Sequence, residues 1–287
     1  AEGEQLDAIG RDLDAALDAL RDRNPEAWPR VVGLGLGLPG IVEQGADGEQ
    51  TLYAQSLGWP AVPVRQLVTH DIAVFAENGA KTEAMAEVWD GAARGVDEAL
   101  VVLLGRGVGL AIVSDGELAH GLTSSAGEWG HVKIVRGGRM CRCGGRGCVE
   151  AYLGADAILA SWREAGGQFD GSGWGALGGL LDAEQAGDTV AAAVVEEIVS
   201  TLGSALGGLV NLTNPERVVI GGWVGLRLME YLAPRIEEAT RREALVRPGG
   251  QFTLAACRFG GDTVALGAAM MPLESLLGMP RGARSGL

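Results

Sequence analysis

The sequence has few cysteines, little positive charge and no long uninterrupted apolar run. It holds four cysteines in 287 residues, and no segment reaches the ~18 apolar residues of a membrane-spanning helix. Residues 1–20 lack the basic start and apolar stretch of a secretion signal. These absences predict a cytoplasmic protein with no membrane partner. In that compartment, clustered cysteines bind metal more often than they form disulfides.

Positive charge is scarce relative to negative charge. The chain has 23 Lys and Arg against 37 Asp and Glu, which gives a formal net charge of −14. A net negative charge disfavours binding of nucleic-acid phosphates over a broad surface. We therefore expect these residues not to bind nucleic acid by themselves, and any DNA-binding part would lie outside them.

Strand-like and helix-like patterns alternate along the chain, which predicts an α/β architecture. The predicted strands are 31–42, 71–78, the two apolar halves of 99–118, 217–225 and 251–259. The predicted helices are 4–20, 81–92, roughly 188–212, 229–245 and 263–277. Residues 119–150 are expected to form loops, and the glycine-rich stretch 166–179 a flexible insertion between helices.

Three of the four cysteines lie within eight positions, in the segment "CRCGGRGCVE". A disulfide between Cys141 and Cys143 would close a strained ring and leave Cys148 unpaired. A redox motif would need a two-residue spacing, which is absent. With His131, ten residues upstream, the three thiolates make a Cys3His set that suits a structural zinc ion. The alternative is a group of buried free thiols beside an unrelated histidine.

Glycines and the remaining cysteine complete this interpretation. Gly144, Gly145 and Gly147 would let the backbone fold tightly around an ion. Cys257 lies in an apolar strand pattern, and we expect it to be an ordinary core residue.

The segments "GEWGH" (127–131) and "CRCGGRGCVE" (141–150) together resemble the signature of the ROK family of bacterial repressors and sugar kinases. Four further segments resemble that family: 33–42, 56–64, 209–224 and 261–270. The resemblance implies a two-domain, actin-like fold of the sugar kinase and hexokinase type. The smaller domain would comprise 1–97 plus 263–287, and the larger domain 98–262 with the zinc loop. A sugar would bind in the cleft between them.

The resemblance also implies which residues would hold the sugar. The matching positions are Asn78, Glu128, His131 and Glu150, whose carboxylates, amide and imidazole can bond to adjacent hydroxyls. His131 would bind zinc through one ring nitrogen and leave the other for a hydroxyl. Asn78 has an alternative role, because it could simply cap the following helix.

The kinase base that the family implies is missing. A sugar kinase needs a carboxylate to accept the proton of the attacking hydroxyl. The family places that Asp in an Asn-Asp-Ala motif, whereas this chain reads Asn78-Gly79-Ala80. Loss of such a base commonly removes ~10²–10⁴ of the rate. Glu77 is a poor substitute, because strand alternation points it away from the Asn78 face.

The nucleotide loops also depart from the family pattern. Its second phosphate loop usually reads Gly-Thr-Gly, and here it is Gly105-Arg106-Gly107. Arg106 could attract an anion or fill the nucleotide space. The adenosine-side turn matches at Gly221 and Gly222. The first phosphate loop is not found; the favoured explanation is that it precedes the helix at 4–20, and the alternative is that the protein lacks this hairpin. Without it, the sheet containing 31–38 would have an unprotected edge.

Three functions remain after these departures. The favoured hypothesis is a sugar-responsive ROK-type transcriptional regulator. It would have its winged helix-turn-helix upstream of this chain and would act as a homodimer or homotetramer whose domain closure follows the sugar. The alternatives are an ATP-dependent hexose or aminosugar kinase, and a catalytically silent sugar-binding protein with no DNA role.

Overall fold

The computed structural model describes residues 2–278, with side chains from residue 6 onward. The end of the predicted small domain, 279–287, lies outside the described residues. The helices are α1 (Glu2–Arg23), α2 (Gly79–Asp90), α3 (Glu150–Leu153), α4 (Ala155–Glu164), α5 (Gly173–Gln185), α6 (Thr189–Thr213), α7 (Gly222–Glu243), α8 (Val246–Gly249) and α9 (Thr263–Leu277). The strands are β1 (Leu34–Leu38), β2 (Ile41–Gln44), β3 (Gln50–Tyr53), β4 (Val62–Pro63), β5 (Val74–Asn78), β6 (Ala99–Leu104), β7 (Val108–Ser114), β8 (Glu117–Leu118), β9 (Arg217–Gly221) and β10 (Thr253–Ala256).

These strands form three sheets. The five-stranded sheet has the order β10-β9-β6-β7-β8, with β9 parallel to both β10 and β6 and with β7 antiparallel to β6. At its centre, Val101 lies opposite Ala111 on one side and Val219 on the other. β1 and β5 pair in parallel, and β2, β3 and β4 form a small antiparallel sheet. Parallel strands joined through helices are the α/β arrangement that the sequence predicts.

Side-chain alternation along β6 divides the interior of the molecule into two cores. Leu100, Val102 and Leu104 face the larger core, which α4 to α7 cover. Val101 faces the second core, where α2 and α9 pack against the opposite side of the same sheet. A third core lies between α1, the β1–β5 pair and the small antiparallel sheet. Helices α2 and α9 therefore connect the small sheets to the large one.

Helix α6 is long and apolar enough to cross a membrane by length and composition alone, although 56% of its most apolar window is buried inside the molecule. Its buried residues belong to the larger core. A Cβ on Gly203 or Gly207 would collide with Ala239 or Glu243 of α7. The two helices cross too closely there for a side chain, so α6 has the packing of a core helix.

Several predicted boundaries are wrong. Residues 31–42 contain two strands, because Pro39 and Gly40 turn the chain between β1 and β2. α2 begins at 79 and α7 at 222, both earlier than predicted. The stretch 166–179 holds the start of α5 rather than a wholly flexible insertion. Burial of Leu177, Leu180 and Leu181 in the larger core outweighs the low helix propensity of the glycines.

Candidate metal centre and adjacent ligand site

The cysteine loop, residues 138–148, is a tight reversal that the sequence's glycines permit. The Cys141 N–H donates to the Gly145 carbonyl at 2.8 Å, and the Gly144 N–H donates to the Cys141 carbonyl at 3.0 Å. Gly144 and Gly147 have φ values of 86° and 77°. A Cβ on Gly147 would collide with the Val135 carbonyl. The loop therefore requires glycine at 147 for both its φ and its packing.

This folding brings the four predicted metal ligands together. One donor atom each from His131, Cys141, Cys143 and Cys148 lies within 4.8 Å of the others. The Cys141 Sγ is 3.7 Å from the His131 Nδ1, and the Cys143 and Cys148 Sγ atoms are 3.7 Å apart. All three cysteines are free thiols. The arrangement is compatible with a metal site, and these three cysteines form no disulfide in the structure.

The cysteine thiols lie beside one positive charge. Burial raises the pKa of Cys141 to about 12, so this thiol ionises only with help from a positive charge. The Lys133 Nζ donates to the Cys148 Sγ at 2.7 Å. A bound divalent cation would favour the thiolate form of all three cysteines.

His131 faces two ways, as the sequence predicts. Its Nδ1 points to the cysteines, and its Nε2 lies 3.9 Å from the Glu128 Oε2. His131 ends a short 3₁₀ turn, Trp129–His131, that begins directly after Glu128. The buried Trp129 ring anchors this turn. Burial raises the pKa of Glu128, and the nearby charges of His131 and Lys81 oppose that rise. The metal cluster thus adjoins a half-buried carboxylate.

Glu150 is held differently from Glu128. It is 7% exposed, and its Oε2 accepts the Val108 N–H at 3.1 Å. Its Oε1 lies 3.5 Å from the Arg142 Nη2 and 3.6 Å from the Cys141 Sγ. The carboxylate therefore joins the start of β7 to the cysteine loop. This predicted sugar residue is engaged by protein groups in the structure.

Asn78 adopts the capping alternative. Its Oδ1 accepts the Ala80 N–H at 2.8 Å at the start of α2, and its Nδ2 donates to the Gly40 carbonyl at 2.7 Å. Both ends of the amide are therefore bonded, one to the start of α2 and one to the turn between β1 and β2. A sugar would have to share or replace these bonds.

Gly79 opens α2 where the family's base would stand. A Cβ there would lie 3.8 Å from the Leu38 carbonyl and 3.9 Å from a Leu103 methyl, which is ordinary contact. The first turn of α2 carries no acidic residue. The Glu77 carboxylate accepts the Asn78 N–H at 2.7 Å and lies 3.9 Å from the Lys81 Nζ. The position has space for a base but holds none.

Sequence reasoning missed the group around Lys81. This side chain is 2% exposed. Its Nζ donates to the Oγ of Ser124 at 2.9 Å and also to the Ser124 carbonyl. The His120 Nε2 lies 3.4 Å from the Glu77 Oε2. The available signal was a Glu and a Lys four residues apart where a strand enters a helix.

The nucleotide-loop positions take well-defined places. Arg106 is largely exposed and directs its Nε to Asp156 at 3.3 Å. The Gly105 N–H donates to the Gly107 carbonyl at 2.9 Å. Gly222 has a φ of 69°, and a Cβ there would collide with the Leu104 carbonyl.

A buried acid packs behind the turn formed by Gly221 and Gly222. Glu83 of α2 lies against this turn, because a Cβ on Gly221 would collide with the Glu83 Oε1. Burial and the neighbouring Glu87 raise the pKa of Glu83 to about 8. The turn is therefore closely packed against α2.

A sequence model of the ROK family matches residues 7–274. The chain belongs to the ROK family. A glucokinase of Halalkalibacterium halodurans is 31% identical over 96% of this chain and 86% of its own length. A xylose repressor of Caldicellulosiruptor bescii is 26% identical over 95% of this chain and 72% of its own. The family resemblance predicted from the two signature segments is confirmed.

Solved structures agree with this ROK assignment. A ROK glucokinase of Streptomyces griseus, in complex with glucose and AMPPNP, has a TM-score of 0.74 at 26% identity and covers 88% of this chain and 86% of its own. A ROK transcriptional regulator, a homologue of the Escherichia coli Mlc protein, has a TM-score of 0.74 at 25% identity and covers 93% and 68%. The predicted actin-like α/β fold is confirmed. Kinases and regulators share it, so the fold does not decide between them.

Proposed function

We propose that this chain is the sugar-binding effector region of a ROK-type transcriptional regulator and that it has no kinase activity. The observation that carries the proposal is the start of α2. Gly79 offers no carboxylate, Asn78 is used as a helix cap, and the Glu77 carboxylate is paired with Lys81. A proton acceptor for a sugar hydroxyl is therefore missing where the family would supply it.

In this proposal, Glu128 and His131 are the principal sugar-binding groups, with Glu150 and Asn78 beside them. Glu128 accepts hydroxyl hydrogen bonds, and the His131 Nε2 contributes a further bond. The ion held by His131 and the cysteines is zinc, because the Cys3His donor set suits a tetrahedral structural site. Zinc, when bound, ties the cysteine loop to the turn that carries His131 and so orients its ring.

The regulatory part of the proposal is a change in domain closure. The smaller domain comprises 1–97 and 263–287, the larger 98–262, and the sugar lies between them in a cytoplasmic homodimer or homotetramer. DNA would be bound only by a helix-turn-helix upstream of this chain, in keeping with the net charge of −14. The similarity to a xylose repressor, and to the Mlc and NagC regulators of Escherichia coli, supports this proposal.

An ATP-dependent hexose or aminosugar kinase is the second candidate. It is favoured by the 31% identity to a glucokinase and by the similarity to a glucokinase solved with AMPPNP. A kinase would need a base other than residue 79. An ATP-turnover assay on the protein used for the binding measurements tests this candidate, because turnover of ATP in the presence of sugar would establish a kinase.

The experiment is a calorimetric titration of the chain with a panel of hexoses and aminosugars. The proposal predicts that at least one sugar binds, that Glu128→Gln weakens it, and that Glu238→Gln does not. Glu238 is an exposed residue on α7 and serves as the matched control. Binding by wild type that is equally strong in Glu128→Gln would contradict the assigned site. No binding across the panel would contradict the sugar-sensing function.

A further inference from the structure

We propose that Lys81 is a positioning residue that fixes the ligand loop, defined here as residues 119–128, against the start of α2. The ligand loop ends in Glu128, so its position decides where this carboxylate meets a ligand. The inference rests on the proposed function only in taking Glu128 as a sugar-binding group. The contacts that join Lys81 and Glu77 to Ser124 and His120, called the latch below, do not involve a ligand.

The latch consists of two residues from each side. Lys81 and Glu77 belong to α2 and β5, and Ser124 and His120 belong to the ligand loop. The Lys81 ammonium donates to both the Oγ and the carbonyl of Ser124. The His120 Nε2 lies 3.4 Å from the Glu77 Oε2, whose partner oxygen lies 3.9 Å from the Lys81 Nζ. Each residue of one side thus contacts the other side.

Burial makes these contacts obligatory. The side chains of Lys81 and Glu77 are 2% and 6% exposed, so neither charge can be satisfied by bulk water. Burial alone would raise the pKa of Glu77, but His120, Lys81 and the Asn78 N–H more than offset it and hold it below its usual value. A buried charge that loses its partner is strongly destabilising. The ion pair therefore keeps the ligand loop closed over it.

Ser124 itself indicates a loop held under constraint. Its φ is 58°, a left-handed conformation that is uncommon for a residue with a side chain. The two hydrogen bonds from Lys81 are made from this conformation. Without them, the residue would be free to relax to an extended conformation and to carry the ligand loop away from α2.

Burial lowers the pKa of Lys81, and the charges of Glu77 and Glu128 oppose that fall. The outer side of the latch borders a cavity of about 350 Å³ that Glu77, His120 and Ser124 help to line. Solvent thus reaches His120 while Lys81 stays covered.

The test is hydrogen exchange of the ligand loop in the full chain without any sugar. Lys81→Met alone leaves Glu77 buried without its counter-ion and can unfold the protein, so the main variant is the neutral pair Glu77→Gln with Lys81→Met. We expect amides of 119–128 to exchange at least about tenfold faster in the double variant, as the closed state loses population. The unfolding midpoint should stay near that of wild type. Ser124→Ala should give a smaller increase, because the carbonyl contact remains.

The control is Arg235→Met, which removes a bridge from α7 to Glu184 and Glu196, far from the ligand loop. It should leave exchange of 119–128 unchanged. Unchanged exchange in the double variant would overturn the inference. A sugar that binds the wild-type protein should bind the double variant about tenfold more weakly. If wild type binds no sugar, the proposed function fails, while the exchange result still decides the role of Lys81.

Discussion

The cysteine loop and the start of α2 flank the same proposed ligand site but relate to the family pattern in opposite ways. In the cysteine loop, every signature position is present and the four donors converge within 4.8 Å. At the start of α2, the base position is Gly79, although a side chain would fit there. The contrast teaches that one chain can carry the family's cysteine loop and still lack the carboxylate that would accept the proton. Such a molecule can bind without reacting.

The largest effect is expected on the metal side of this comparison. Cys148→Ser should remove most of the bound metal and lower the free energy of unfolding on the order of 3 kcal/mol, because folding and metal binding are coupled. Elemental analysis and thermal unfolding measure the two effects. Cys257→Ala is the matched control, since that buried cysteine lies outside the cluster. Unchanged metal content in Cys148→Ser would contradict the assignment of Cys148 as a metal ligand.

The two carboxylates of the ligand site should separate into a binding role and a structural role. Glu150→Gln should lower the free energy of unfolding by about 1–3 kcal/mol, because the buried Val108 N–H and Arg142 lose a charged partner. Glu128→Gln should change it by less than about 0.5 kcal/mol, because that group is 37% exposed. Denaturant unfolding of both variants tests this. Equal losses would contradict the distinction.

Restoring the missing base should change little. Gly79→Asp places a carboxylate in the first turn of α2, where the helix dipole favours it, so the free energy of unfolding should stay within about 1 kcal/mol of wild type. We expect no phosphorylated sugar, because Arg106 also replaces the small residue of the phosphate loop. An ATP-coupled assay with Gly79→Ala as control checks this. Gain of turnover in Gly79→Asp alone would show that residue 79 is the whole difference.

The smallest effect concerns α1, which lies outside both regions. His70 contacts Asp14 through Nδ1 at 3.0 Å and Asp18 through Nε2 at 3.1 Å. Hydrogen bonds to Asp14 and then Asp18 raise the pKa of His70 above 6.5. Hydrogen bonds from Thr69 and His70 lower the pKa of Asp14 from 3.8 to about 2.

The sign follows from these two shifts. The His70 contribution is complete below 6.5 and is lost as the pH rises through the raised pKa. The Asp14 contribution is present above 3.8 and is lost as the pH falls through about 2. Amides of α1 should therefore be better protected at about pH 6 than at about pH 8, after correction for intrinsic exchange. His70→Gln should abolish this difference and Asp22→Asn should keep it. Equal protection in wild type would contradict the assignment.

Local chemistry made the metal cluster predictable. Thiols and an imidazole at short spacing, with glycines between them, specify both the ligands and the turn that gathers them. The same reasoning predicted that one ring nitrogen of His131 would face the cysteines, and the structure places the Nδ1 there. Periodicity predicted α6 and α9 to within a few residues, because long apolar repeats define long helices.

Long-range packing was not predictable in this way. Lys81 and Ser124 are 43 residues apart in sequence, and nothing in either segment indicates that they bond. The engagement of Glu150 by Val108 and Arg142 likewise depends on how β7 meets the cysteine loop. The glycine-rich start of α5 becomes helical only because the larger core accepts its leucines. In each case tertiary contacts decide what local propensity leaves open.

The central claim is that this chain binds a sugar and does not phosphorylate it. The most direct test measures transfer of labelled phosphate from ATP to the best-binding sugar, with both at saturating concentration. The account predicts saturable binding, with labelled product no higher than in a reaction without protein. Labelled sugar phosphate that increases in proportion to protein concentration would contradict it, and a group other than residue 79 would then be the base.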